Sequence, residues 1–325
     1  MSEIILCTSK KDSSGMSVLD LASGSNICSS FKHCVADSNC LVTVGKSSSS
    51  YEGLGSAGDY IVSSNPEKPL INIYQWCKPQ VHLQCHTQEI IESLGTDFLG
   101  NFLFGGTKRG HIYAWEVSTG ELIRSWHGHF KGVTCIMTDP MSNFCISCSE
   151  DGMVRCWDLA TILDSSVASA SRNSKNIQPH RSWTAHSLPV KGLLMLGTIR
   201  APRIVSCSQD KTVTINDIHT GKQCLRVSMS NSIECMAADA TEDIIALGSS
   251  VGDIYLLNIS ISSQSIALNV TQSVIGSSSS SSKGVNILCG HVKAVKSIAF
   301  SKVSLGTLIS ASDDGSLRWW NVFTR

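Results

Sequence analysis

Charge is scarce in this sequence. Only 16% of its 325 residues are Asp, Glu, Lys or Arg, and the 26 basic residues cancel the 26 acidic ones. With zero formal net charge, no global field draws the chain to DNA, RNA or an anionic membrane, so any nucleic-acid contact has to be a local patch. Proline is rare as well, at 7 residues against 25 glycines; with abundant serine this favours many short strands joined by tight turns over long helices. No apolar stretch approaches the roughly 18 residues of a membrane span. Glu3 precedes the short apolar run at 4–7, in place of the basic flank of a signal peptide. A soluble intracellular protein is the expectation. Its 42% hydrophobic content supplies a real core and excludes general disorder.

Cysteine, in contrast, is plentiful. The 14 cysteines are scattered through strand-like apolar segments of a long chain, which points to reduced, buried thiols rather than a disulfide framework. The sequons Asn258-Ile-Ser and Asn269-Val-Thr would matter only on the secretory route.

Three segments share one pattern: SCSEDGMVRCWDL at 147–159, SCSQDKTVTINDI at 206–218 and SASDDGSLRWWNV at 310–322. Each sets an Asp four residues after a Ser and an aromatic or amide landmark six further on: Ser147, Asp151, Trp157; Ser206, Asp210, Asn216; Ser310, Asp314, Trp320. Upstream stand His129, His186 and His291, each with a valine four residues later; His86 lies at a similar distance before Trp115. Between the landmarks run alternating apolar segments such as VTCIM and FCISCS, too short for helices and bounded by Asp-Gly or Asp-Pro. Each unit is therefore three or four antiparallel strands. Extending the register places landmarks at Leu19, Tyr74, Trp115, Trp157, Asn216, Leu257 and Trp320, seven units in all. The three long intervals contain serine-rich insertions at 46–58, 162–178 and 262–284. These are too poor in large apolar groups to order themselves and are expected as flexible loops, with a helical turn near Ala160–Leu163.

This repeat of about 41 residues, with Gly-His ahead and Trp-Asp behind, resembles the WD-repeat family of β-propellers. The resemblance implies an all-β fold: a single seven-bladed domain over 1–325. It also implies that the His, Ser, Asp and Trp of a blade form a buried hydrogen-bonded tetrad. His129, Ser147, Asp151, Trp157 and His291, Ser310, Asp314, Trp320 match it fully. His186, Ser206 and Asp210 lack the indole, since Asn216 stands in its place. The third blade has His86 and Trp115, but Gly105 and Arg109 replace Ser and Asp. The family pattern continues past the seventh Trp, so blades 1 and 7 are expected to hold three strands each, 26 strands rather than 28.

Recurrent Ser, His and Asp at structural spacing argue against a hydrolase triad. Cys145 and Cys148 sit three apart in one strand, on opposite faces, with no second pair to complete a metal site. Gly53, Gly55 and Gly58 follow a serine run and precede a strand, the wrong order for a dinucleotide site. No catalytic residue, metal or cofactor is expected. Within a blade the first-to-second and third-to-fourth turns open on one face, which places all three insertions together there. The opposite face carries Phe130 and Lys131, Leu188 and Pro189, Val292 and Lys293, apolar anchors beside basic residues and hence candidate partner contacts.

The strings INIYQWCKPQ (71–80), GHIYAWEVSTGELIRSWHGHFKGVTC (110–135) and HSLPV (186–190) resemble one branch of the family. Its members are WD-repeat subunits of the complex that matures the large ribosomal subunit and acts in processing the internal transcribed spacer of pre-rRNA. That resemblance implies a nuclear scaffold binding a large helical-repeat partner and pre-ribosomal particles. The rival is a generic WD-repeat adaptor such as a ubiquitin-ligase substrate receptor; receptors of that kind carry Arg three residues after the Trp, where this chain has Ser118, Ala160 and Phe323.

Overall fold

The computed structural model describes residues 4–7, 16–20, 23–31, 34, 36, 39–44, 60–75, 78, 80–139, 141, 143–164, 177–197, 202–259, 285–301 and 304–323. Among them are 26 strands in seven antiparallel sheets. The first is β1 (Ile4–Cys7), β2 (Met16–Asp20) and β3 (Asn26–Phe31); the second is β4 (Leu41–Val44), β5 (Tyr60–Ser64), β6 (Leu70–Gln75) and β7 (Val81–His86). The third comprises β8 (Ile91–Thr96), β9 (Phe102–Thr107), β10 (His111–Glu116) and β11 (Leu122–His127). The fourth runs β12 (Val133–Thr138), β13 (Phe144–Ser149), β14 (Val154–Asp158) and, after helix α1 (Leu159–Leu163), β15 (Arg181–Trp183). The fifth is β16 (Val190–Leu196), β17 (Arg203–Ser208), β18 (Thr212–Asp217) and β19 (Gln223–Ser228); the sixth is β20 (Ile233–Ala238), β21 (Ile244–Ser249), β22 (Ile254–Asn258) and β23 (Val285–Leu288). The last has β24 (Val295–Phe300), β25 (Thr307–Ser312) and β26 (Leu317–Asn321). Sheets one and seven thus hold three described strands each.

The sequence pattern follows from position within a sheet. Inner strands are covered on both faces, so β13 and β18 are buried almost end to end and read as continuous apolar and small residues. Fourth strands meet solvent on one face, and β7, β11 and β19 alternate accordingly. One irregularity repeats: a bulge follows the first buried residue of the opening strand, after Ile91, Val190, Ile233 and Val295. An extra residue there bends the strand and increases its local twist.

The chain divides into two compact units, 1–147 with 155–180, and 148–154 with 181–325. The first buries Trp115 and Tyr113 among Ile71, Leu94 and Leu103, and Trp157 beside Trp126, Ile112 and Phe104. The second buries Val205, Ile215, Ile245 and Tyr255 in one cluster and Ile254, Val295 and Leu308 in another.

Helix α1 is the turn expected near Ala160–Leu163. Asp158 caps it, its carboxylate accepting from the Ala160 amide and from the Thr161 hydroxyl. Arg124 of β11 is 2% exposed and donates to the carbonyls of Thr161 and Asp164 at 2.7 and 3.1 Å, satisfying the far end of that turn. Along the chain, 46–58 lies between β4 and β5, 162–178 between β14 and β15, and 262–284 between β22 and β23. Their expected flexibility concerns 46–58, 165–176 and 262–284, which lie outside the described residues.

In the third, fourth and fifth sheets the turn from second to third strand is tied to the loop that follows the fourth. The carbonyl of Gly110 accepts from the amides of Gly128 and His129, that of Gly152 from His186, and that of Lys211 from Met229. Gly110, Gly152 and Gly252 adopt positive φ, and a side chain on any of them would run into the carbonyl oxygen of His129, His186 or His291 respectively.

Candidate functional site

In the fourth sheet His129 and Ser147 are fully buried, with Nε2 of the ring 2.7 Å from Ser147 Oγ. Trp157 Nε1 donates to the same oxygen at 2.8 Å. Asp151 accepts from the Met153 amide at 2.9 Å, closing the tight turn ahead of β14. Gly128 precedes the histidine because a larger residue would strike Ile112 and crowd Trp157.

The last sheet repeats the arrangement. Ser310 Oγ accepts from Trp320 Nε1 at 2.8 Å and lies 2.7 Å from His291 Nε2, while His291 Nδ1 sits 2.9 Å from Asp314 Oδ2. A serine has one proton, so with the indole donating, Ser310 gives that proton to Nε2 and the ring carries its own on Nδ1, facing the carboxylate. The Ser316 hydroxyl, donating at 2.6 Å, holds the Asp314 carboxyl well below the usual range.

In the fifth sheet Ser206 Oγ lies 2.9 Å from His186 Nε2 and 2.8 Å from Thr214 Oγ1, so a threonine hydroxyl occupies the role of the missing indole. Asn216 reaches Thr214 only at 3.5 Å. His186 Nδ1 meets Thr212 Oγ1 at 2.9 Å and both Asp210 oxygens at 3.3 Å. Burial pushes the His186 ring down, outweighing its carboxylate neighbour. Burial alone would raise Asp210, but the Thr212 hydroxyl and the Ser187 amide pull it below the usual carboxylate range.

The third sheet corrects the sequence reading. Its opening strand begins at the buried Ile91, as the others begin at Val133, Val190 and Val295, and counting back four residues reaches Thr87. The Thr87 amide bonds the Pro69 carbonyl, the contact made elsewhere by the histidine position. His86 is therefore one residue out of register and exposed at the end of β7. A side chain on Gly105 would crowd the Trp115 ring at 2.8 Å, so the indole, stacked on Tyr113 at 5.6 Å, fills the space where a serine would stand. Arg109 and His111 turn instead to Glu89, at 3.8 and 3.2 Å. The sixth sheet substitutes a latch the sequence reading missed: Tyr255 Oη bonds Ser230 Oγ at 2.6 Å and Asn231 Nδ2 at 2.8 Å.

The candidate contact residues lie in the loops ahead of the opening strands. Phe130, Leu188 and Val292 are 77%, 50% and 81% exposed, Lys131 and Lys293 are exposed, and Pro189 is half-buried. Side chains hold the backbone of these loops: Ser208 Oγ donates to the Leu188 carbonyl, Ser312 Oγ donates to the Lys293 carbonyl, and the Asp314 carboxylate accepts from the Val292 amide. The described cysteines are free, and burial pushes Cys85 up to about 11 and Cys235 up to about 12, away from thiolate chemistry. Among the described residues no group of three His, Cys, Asp or Glu is placed to hold a metal ion.

The family described as WD domain, G-beta repeat matches residues 120–158 and 282–321, segments that end one residue past Trp157 and Trp320. The fold is that of an all-β, seven-bladed propeller, and two of its blades match the WD repeat. The propeller is 27% identical to Protein ROOT INITIATION DEFECTIVE 3 of Arabidopsis thaliana, over 98% of its own length and 66% of that protein. It is 28% identical to Pre-rRNA-processing protein IPI3 of Yarrowia lipolytica, over 100% of its length and 71% of the relative. The propeller thus spans about two thirds of the length of these relatives. A chain in the crystal structure of the mitotic checkpoint complex superposes with a TM-score of 0.69 at 16% identity, covering 99% of the propeller and 84% of that chain; this likeness concerns fold alone.

Proposed function

We propose that this propeller is a non-catalytic scaffold subunit in large-subunit ribosome assembly and pre-rRNA processing, working in the nucleus. The observation that carries the reading is the match, along the whole chain, to a relative named for pre-rRNA processing. The site chemistry agrees with it. The hydroxyls and imidazoles that could serve a hydrolase are spent inside the blades: Ser147, Ser206 and Ser310 are each at most 1% exposed and bonded to a histidine. Protein partners, a large helical-repeat subunit and pre-ribosomal particles, dock through the loops holding Phe130 and Lys131, Leu188 and Pro189, and Val292 and Lys293. Such side chains supply apolar anchors and electrostatic steering.

Affinity purification of tagged protein from nuclear extract, followed by mass spectrometry, tests this. Recovery of ribosome-assembly factors is expected. Recovery of a cullin ligase without them sinks the reading in favour of a ubiquitin-ligase adaptor. Purified protein should show no hydrolase, transferase or nucleotide-dependent turnover.

A further inference from the structure

In the first unit, two loops lock together into a surface with a chemistry of its own. The turn at 107–110 is bonded to the loop at 128–131, the Gly110 carbonyl taking the amides of Gly128 and His129 at 2.9 and 3.0 Å. Phe130 projects from that loop with 77% of its surface exposed. Arg155 is anchored to the Gly128 carbonyl at 2.5 Å and sets its guanidinium 5.5 Å from the Phe130 ring centroid. His127 stands 6.3 Å from the same ring and 5.2 Å from His111. The same two loops carry exposed Lys108, Arg109 and Lys131. Glu89, 3.8 Å from Arg109 and 3.2 Å from His111 Nδ1, is 19% exposed, whereas the Arg109 side chain is 80% exposed. Arg109 is thus far more exposed than the acid it pairs with.

We propose that this surface binds an acidic peptide segment carrying one large apolar residue, which seats against Phe130 while flanking carboxylates meet Arg109, Lys108 and Lys131. The inference deepens the scaffold reading and rests on it for the kind of partner. A preorganised guanidinium over an exposed ring is the type of anchor that concentrates binding energy, and surrounding lysines steer an anionic partner. The geometry favours peptide over RNA. Single-stranded RNA is held along a cationic track with a succession of stacking rings. Here a single exposed ring, with Arg155 over it, stands on loops that carry Lys108, Arg109 and Lys131.

Panning a random peptide library displayed on phage against the purified propeller tests this. Enriched peptides should carry several Asp or Glu around one aromatic or aliphatic residue. A fluorescein-labelled copy of the most enriched peptide should lose about tenfold or more in affinity with Phe130→Ala, and likewise with Arg109→Glu combined with Lys131→Glu. Thermal melts should show both variants folded. Enrichment of neutral or basic peptides, or of acidic peptides whose binding survives both variants, overturns the proposal. So does a labelled oligouridylate that displaces the peptide and loses binding with the same variants, since it makes the surface an RNA site. The two readings fail separately: peptide binding can stand when wild-type protein recovers no assembly factor from nuclear extract, and assembly factors can be recovered when the peptide result is negative.

Discussion

The fifth and seventh sheets, both in the second unit, reach the same hydrogen-bonded end by different residues. In the seventh, Ser310 receives its second partner from the Trp320 indole at 2.8 Å; in the fifth, Ser206 receives it from the Thr214 hydroxyl at 2.8 Å. On the far side of the ring both sheets place Asp and, two residues later, a hydroxyl bonded to it at 2.6 Å: Asp210 with Thr212, Asp314 with Ser316. The comparison teaches that a histidine, a serine and a carboxylate form the lock, and that the indole is one of several groups able to complete it. A buried hydroxyl needs a satisfied partner, whatever side chain supplies it.

The largest test of that equivalence removes the carboxylate. Asp210 accepts from the Thr212 amide and hydroxyl and the Ser187 amide, and lies against His186. Asp210→Ala should cost about 3 kcal/mol by leaving buried donors unpaired, read as a fall in the urea midpoint. Asp314→Ala should lower the midpoint too. Asp243→Ala, at an exposed bend without a side-chain bond among those above, should stay within about 0.5 kcal/mol. Equal losses at Asp210 and Asp243 would dissolve the lock altogether.

Next come the completing groups. Thr214→Val and Trp320→Phe each delete one donor to the serine and should cost about 1–2 kcal/mol in chemical denaturation. Asn216→Ala, whose amide reaches Thr214 only at 3.5 Å, should cost far less. A neutral Thr214→Val beside a costly Trp320→Phe would mean that the hydroxyl and the indole are not interchangeable.

Acid separates the sheets more gently. The ring of His186 is pushed below its ordinary value in the fold, so the unfolded chain takes up its proton first, and stability is lost as pH falls below the unfolded value of about 6.5. Asp210, held low, keeps its contribution until the pH passes below the ordinary carboxylate range near about 4. His186→Gln should therefore flatten the melting temperature between pH 7 and pH 5, and an unchanged slope would show that another group carries the acid sensitivity. The smallest effect should be a gain: Lys211 holds φ at 66° where the seventh sheet has Gly315 at 81°, and Lys211→Gly should stabilise by roughly 0.5–1 kcal/mol in the same melts.

Much of this was legible in the sequence, because a repeat fixes spacing and spacing fixes strands. Seven landmarks mark seven sheets, and the deficit of one strand at each end matches the three-stranded first and seventh sheets among the described residues. The errors fall where spacing is degenerate. Ile90 and Ile91 are adjacent and equally apolar, so the pattern cannot tell which one enters the core; the structure buries Ile91 and leaves Ile90 37% exposed, which shifts the histidine position to Thr87. Compensating residues were equally hidden. Thr214 and Tyr255 stand off the landmark positions, and their roles depend on which hydroxyl points where, information that exists only in three dimensions. Arg124 looks like an ordinary exposed strand residue until α1 is placed beside it.

The contact between a positive-φ turn and the carbonyl of a later loop has a consequence for how the chain is made. Gly110 meets His129, Gly152 meets His186 and Gly252 meets His291, always with the glycine earlier. During synthesis a sheet can pair its first three strands, yet its turn is sealed only when the loop leading into the next sheet has left the ribosome. At each of these three joints the growing chain carries an unsealed turn until the next loop closes it. An alanine at Gly252 would stall that handover at a single joint and leave earlier joints closed, so protease cuts on a stalled nascent chain should cluster at the newest turn rather than spread along the molecule.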